Sequence, residues 1–131
     1  MCVVSAVVMR HDVTAFFVGE RRGLEIFEQI ARVIDGLGES EIRVSRSQIS
    51  FRHVRTFAVV WRPSMYVASD VPIVLSLAMP RRLTSSRFKQ VVHPGPTTWM
   101  HHLELRDLSD IDEEVRGWLE DAWNAASGHG C

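Results

Sequence analysis

Cysteine is scarce in this chain, and the only two, Cys2 and Cys131, stand near its ends. A pair so placed excludes a disulfide framework and a cysteine-rich metal site, so two reduced thiols are expected. Long apolar runs are also missing. The opening MCVVSAVVMR is too short to span a bilayer and has neither the preceding positive charge nor the following cleavage pattern of a secretory signal. A cytoplasmic protein without a membrane partner is expected. The sequence has no glycine-rich phosphate loop, which argues against a nucleoside triphosphatase, and no GxSxG elbow, which argues against a hydrolase triad. Internal repeats and low-complexity tracts are absent as well.

What remains is an ordinary globular composition. With 131 residues, 46% hydrophobic and 24% charged, the chain can bury a core of its own, and the reading is one domain over 12–125 with terminal extensions at 1–11 and 126–131. The net charge of −1 conceals a segregation. Residues 43–106 carry ten Lys or Arg against two acids, whereas 12–41 hold seven acids against three arginines and 107–131 hold seven against one. A basic middle is thus flanked by acidic ends, an arrangement that can steer an anionic partner although the whole is near neutral.

Hydrophobic periodicity places the elements. Leu24, Phe27, Ala31 and Ile34 recur at helical spacing and predict a helix over 20–37, stopped by Gly36 and Gly38. A shorter turn at 13–18, capped by Asp12, precedes it. From Glu41 the period becomes two. Ile42 and Val44, Ile49 and Phe51, then Phe57, Val59 and Trp61, then Ile73, Leu75, Leu77 and Met79 predict four strands with these residues facing the core, and a last strand follows at about 99–106. Ser109, with Asp112 three residues on, predicts the start of a second helix over 109–125. Helices at both ends of a run of strands imply an α+β two-layer sandwich, an antiparallel sheet of about five strands with both helices on one face. The open face is expected to collect Arg43, Ser45, Gln48, Ser50, Arg52, Arg62, Ser76 and Ala78, with Val60 and Val74 as the apolar spots through which it could form a homodimer instead.

SRSQISF (45–51) leading into RTFAVVW (55–61), LAMPRR (77–82), SRFKQVV (86–92) and WMHHLELRDLSDIDEEVRGWL (99–119) resemble a family of small bacterial domains of unknown function ordered helix, meander, helix. The resemblance spans roughly 12–125. It implies the fold, and it implies a weak link to nucleic acid, since similar domains occur alone or beside predicted nuclease-like domains. The order of elements is also similar to that of small proteins compared with frataxin, which implies a metal-handling alternative. No catalytic residue follows from it.

The residues that carry chemistry cluster at 81–105. His101 and His102 are adjacent on a strand, so they point to opposite faces and do not share a metal. His101 falls in the apolar set with Trp99, Leu103 and Leu105 and is expected in the core, satisfied by backbone or a hydroxyl. His102 falls outward beside Glu104, whose carboxylate would raise its pKa. Arg81, Arg82, Arg87 and Lys89 lie in a serine-containing loop, where guanidinium forks and hydroxyls could grip phosphate oxygens; the rival role is pairing with the acidic last helix. Tyr66, in the 63–72 loop, either stacks on a ring or lids the core.

The leading expectation is a binding domain without a cofactor, in which Arg46, Arg52, Arg81, Arg87, Lys89 and His102 hold a phosphate-bearing small molecule or nucleic acid. The alternatives are a frataxin-like metal carrier using His102, Glu104 and acids of the last helix, and a small enzyme with His102 as general acid or base.

Overall fold

The computed structural model describes residues 11–127. Cys2 and Cys131, and the terminal segments 1–10 and 128–131, lie outside the described residues. The described part of the chain begins with a helical turn at 11–16 and continues into α1 (Arg21–Leu37), then β1 (Glu41–Val44), β2 (Ile49–Arg52), β3 (Thr56–Trp61), β4 (Ile73–Met79), β5 (Phe88–Gly95), β6 (Thr98–Leu105) and α2 (Glu113–Ala125). The strands form one antiparallel sheet in the order β1-β2-β3-β4-β6-β5. The α+β sandwich is as expected, with six strands among the described residues where about five are expected.

Register fixes the two faces of the sheet. The row Val44, Ile49, Val60, Leu75, Leu103, Phe88 and the row Ile42, Phe51, Ala58, Leu77, His101, Val91 face the helices. Onto them α1 presses Ile26, Phe27, Ile30 and Ile34, and α2 presses Val115, Leu119 and Ala122. Phe27 stacks on Phe51 at 5.6 Å, and Trp118 lies 4.5 Å from Phe88, so both helices share this face. Burying such apolar area supplies the main stabilising term.

On β3 the expected phase fails beyond Phe57. Phe51 pairs with Ala58 while Arg52 pairs with Thr56, so Phe57 is an extra residue in a bulge. The bulge turns Phe57, Ala58 and Val60 all inward, each fully buried, and sends Val59 and Trp61 to the open face. Val60 is therefore a core residue, whereas Val74 does lie on the open face.

β5 lies where the sequence predicts no strand. It is an edge strand, irregular at two points and ending in Pro94-Gly95, and edges are where a sheet tolerates proline and bulges. The second helix also begins later than expected. Asp107 and Asp110 form a capping box on a 3-10 turn at Leu108–Asp110, and Asp112 then caps α2 by accepting from Val115 N at 3.1 Å, so Ser109 is not its cap.

Candidate ligand-binding site

The two adjacent histidines split as strand geometry requires. His101 points inward and is wholly buried. Its Nδ1 lies 3.1 Å from the Trp99 carbonyl and its Nε2 accepts from Leu83 N at 2.9 Å, which fixes a neutral ring with the proton on Nδ1. Burial pushes its pKa below 6.5, and the charge of Arg82 pushes the same way against the raising effect of the Leu77 and Trp99 carbonyls.

His102 lies on the open face in the row Arg43, Ser50, Val59, Ser76, His102, Gln90. Ser76 Oγ is 2.6 Å from its Nδ1 and accepts from Trp61 Nε1 at 3.2 Å. The Trp61 ring meets His102 edge-on on one side and Tyr66 on the other, at 6.4 and 6.1 Å. Ser76 is 2% exposed, so its hydroxyl orients His102 and is out of a substrate's reach. The His102 pKa is lowered by burial and by neighbouring His101, and not raised by Glu104 as expected. Tyr66 is exposed, and its hydroxyl donates to the Ser47 carbonyl at 3.3 Å.

The cations divide by partner. Arg87 pairs with Asp112 and Glu114 at 3.0 and 2.9 Å, donates to the Asp110 carbonyl and covers the Trp118 ring, so this member of the expected site clamps β5 to the start of α2. Its own pKa is raised, chiefly by the Glu114 hydrogen bond. Arg22 pairs with Asp107, and Arg106 with Asp70. Arg62 leaves the open face to bond the carbonyls of Phe16 and Val18.

By contrast, Arg46, Arg52, Arg55, Arg81, Arg82 and Lys89 have no ion pair among the described residues. They do not converge on a single spot. Arg46 sits in the β1–β2 turn, and Lys89 stands at the first irregularity of the β5 edge. Arg52 and Arg55 flank the β2–β3 turn, at the end of the sheet where β4 runs out into Arg81 and Arg82. At that end a cleft of about 300 Å³ opens between Arg55, Thr56, Pro80, Thr97 and Thr98, over a floor of Phe57, Met79 and Ala126. Beside it, Trp99 stacks flat on His93 at 3.7 Å and lies under Arg82 at 5.9 Å. Of the expected set, Arg52 and Arg81 stand at this end of the sheet, while Arg46, Lys89 and His102 lie elsewhere. Arg55, Thr97 and Thr98 join the site without having been singled out, since turn residues of no special pattern give no signal until the strands are paired.

Among the described residues no group of three or more His, Cys, Asp or Glu is placed to hold a metal ion, so the frataxin-like reading of His102 and Glu104 finds no cluster to rest on. No described helix is long and apolar enough to cross a membrane. No curated protein and no solved structure matches the chain. One family model does, over residues 13–126, close to the span that carries the resemblance in its motifs: the chain belongs to the family described as Domain of unknown function (DUF5655).

Proposed function

We propose that the protein is a binding domain for a phosphate-bearing ligand, held at the end of the sheet where Arg55 lines the cleft and Arg52, Arg81 and Arg82 stand at the neighbouring strand ends. The observation that carries this reading is the sorting of cations. Arg22, Arg87 and Arg106 are committed to carboxylates, whereas four exposed arginines without an acidic partner among the described residues gather at one end beside two threonine hydroxyls. Uncompensated like charges repel, and an anion that forks between them relieves the repulsion while satisfying their planar donors. The apolar floor adds room for a ring or ribose, and the size of the cleft suits a small ligand or one residue of a polymer.

The test is a titration of sulfate, nucleoside monophosphates and a short single-stranded oligonucleotide at low and high salt, followed by tryptophan fluorescence. R55E/R81E is expected to abolish binding, and R46E, in the β1–β2 turn, to leave it within about twofold at high salt, where exposed charges away from the site are screened. A steep salt dependence would mark a polynucleotide and a shallow one a mononucleotide. Absence of binding at low salt, or equal losses from R46E and R55E/R81E, would overturn the proposal. Sedimentation of the same sample tests the homodimer reading, in which the open face around Trp61 and Val74 is covered by a second copy.

A further inference from the structure

We infer that His101 is a positioning residue for this anion site: its unprotonated Nε2 holds the backbone of the 80–87 loop, and so presents Arg81 and Arg82, only while the imidazole is neutral. This rests on the reading above for the ligand, but its structural part stands on geometry alone. Between the end of β4 at Met79 and Ser85 the chain has no regular structure. Its backbone is tied to the rest of the molecule, among the described residues, by the one hydrogen bond from Leu83 N to His101 Nε2 at 2.9 Å. At its far end the loop is pinned by Ser85, which receives Phe88 N, and by the Arg87 clamp. Arg81 and Arg82 immediately precede Leu83.

The same ring also bonds the Trp99 carbonyl, and the Trp99 indole lies under the Arg82 guanidinium. His101 therefore orders both the backbone that follows Arg82 and the residue on which its side chain rests. A proton on Nε2 would set N–H against N–H at Leu83. The imidazolium could not keep that bond, and the loop would lose its central tie. The Leu77 and Trp99 carbonyls offset only part of what burial costs the cation. Phe88 of β5 packs on the ring at 4.8 Å, β4 offers the Leu77 carbonyl, α2 contributes Trp118 behind Phe88, Arg82 acts on it by charge, and the neighbouring His102 lies on the opposite face of the sheet.

The consequence separates this device from simple electrostatics. An anion site flanked by histidines tightens as pH falls, because the histidines gain charge. Here the affinity should weaken instead relative to H101Q, which keeps the histidines beside the site, His53 in the β2–β3 turn and His93 on Trp99. Sulfate is the suitable probe, since its charge is constant over the range. Between about pH 8 and pH 5, wild-type affinity is expected to fall relative to that of H101Q, in proportion to the molecules that lose the ordered loop. H101Q, which retains an acceptor for Leu83 N but does not titrate, should show no fall. H101F, which keeps the contact with Phe88 but offers no acceptor, should bind weakly at every pH.

A measurement on wild type alone guards against variants that fail to fold. The Leu83 amide, followed by nitrogen-15 NMR without sulfate, should lose its hydrogen-bonded shift and its exchange protection as the His101 ring titrates. If sulfate binds but the Leu83 amide ignores His101, or if wild-type affinity does not fall relative to that of H101Q on acidification, the positioning role is wrong and the anion site stands. If Leu83 tracks His101 but sulfate binds at no pH, the anion site is wrong and the anchor alone survives.

Discussion

Gly38 offers the most direct check on how α1 and α2 are joined. It follows the last residue of α1 with φ of 149° and ψ of −157°, a conformation essentially confined to glycine. An alanine Cβ there would also stand 2.6 Å from Cζ2 and 3.0 Å from Cη2 of Trp123 on α2. The indole cannot retreat freely. Its Nε1 donates to the Glu39 carbonyl at 3.0 Å, and its ring lies flat on His53 at 4.3 Å. Backbone strain costs about 1 to 3 kcal/mol. Disturbing the hydrogen bond and the stack adds about 1 kcal/mol or more. Gly38→Ala should therefore lower stability by about 2 to 4 kcal/mol, a large part of the total for a domain of this size. In urea, with a slope of about 1.5 kcal/mol per molar, the midpoint should drop by about 1 to 3 M. Gly36→Ala is the internal control. Gly36 lies within α1, no atom stands within 4 Å of a Cβ added there, and alanine should raise stability by about 0.5 to 1 kcal/mol. Equal shifts in the two variants, or a loss below about 1 kcal/mol for Gly38→Ala, would mean that Trp123 does not close over the end of α1.

Two further outcomes follow from the clamps around the site. Arg87→Ala should cost about 1 to 2 kcal/mol by chemical denaturation, since it removes two exposed pairs together with the packing on Trp118; a loss that vanished completely in high salt would show that the packing and the Asp110 carbonyl contribute nothing. His101 is neutral in the fold with its pKa lowered below 6.5, so as pH falls the unfolded chain takes up the proton first. Its contribution to stability is complete above about pH 6.5 and shrinks below it until the folded-state pKa is reached. Urea midpoints between about pH 7.5 and pH 5 should decline, with a slope reduced in H101Q, and a flat profile in wild type would contradict the buried neutral ring.

The frame of this fold was legible where one period ran uninterrupted. α1 was read within a residue of its bounds because its apolar stripe is unbroken, and the split of His101 from His102 followed from alternation around Trp99, Leu103 and Leu105. Errors fell where a local device altered the count. A bulge at Phe57 shifted everything after it by one, which hid Trp61 as an open-face residue and so hid its bond to Ser76. Two irregularities and Pro94 disguised β5. Two successive acidic caps at 107–113 made the start of α2 ambiguous, because each satisfies the free amides of a helical turn and only packing decides which turn continues.

The site was harder to read for a different reason. That the middle of the chain is basic is a matter of counting, but which of its cations are free depends on partners far away in sequence: Arg87 reaches Asp112 across 25 residues, Arg106 reaches Asp70 across 36, and Arg22 reaches Asp107 across 85. Each of these pairs removes one charge from the pool and places it at an element boundary, where it ties a helix or strand end to its neighbour. Arg55 and Arg82, by contrast, sit in turns with no carboxylate close in sequence, and the sheet delivers them to an end remote from the acidic start of α2. The acidic flanks that make the chain nearly neutral thus neutralise only part of its basic middle. Of the cations they leave uncovered, Arg52, Arg55, Arg81 and Arg82 stand at one end of the sheet, the last two on a loop whose backbone is held by a buried imidazole.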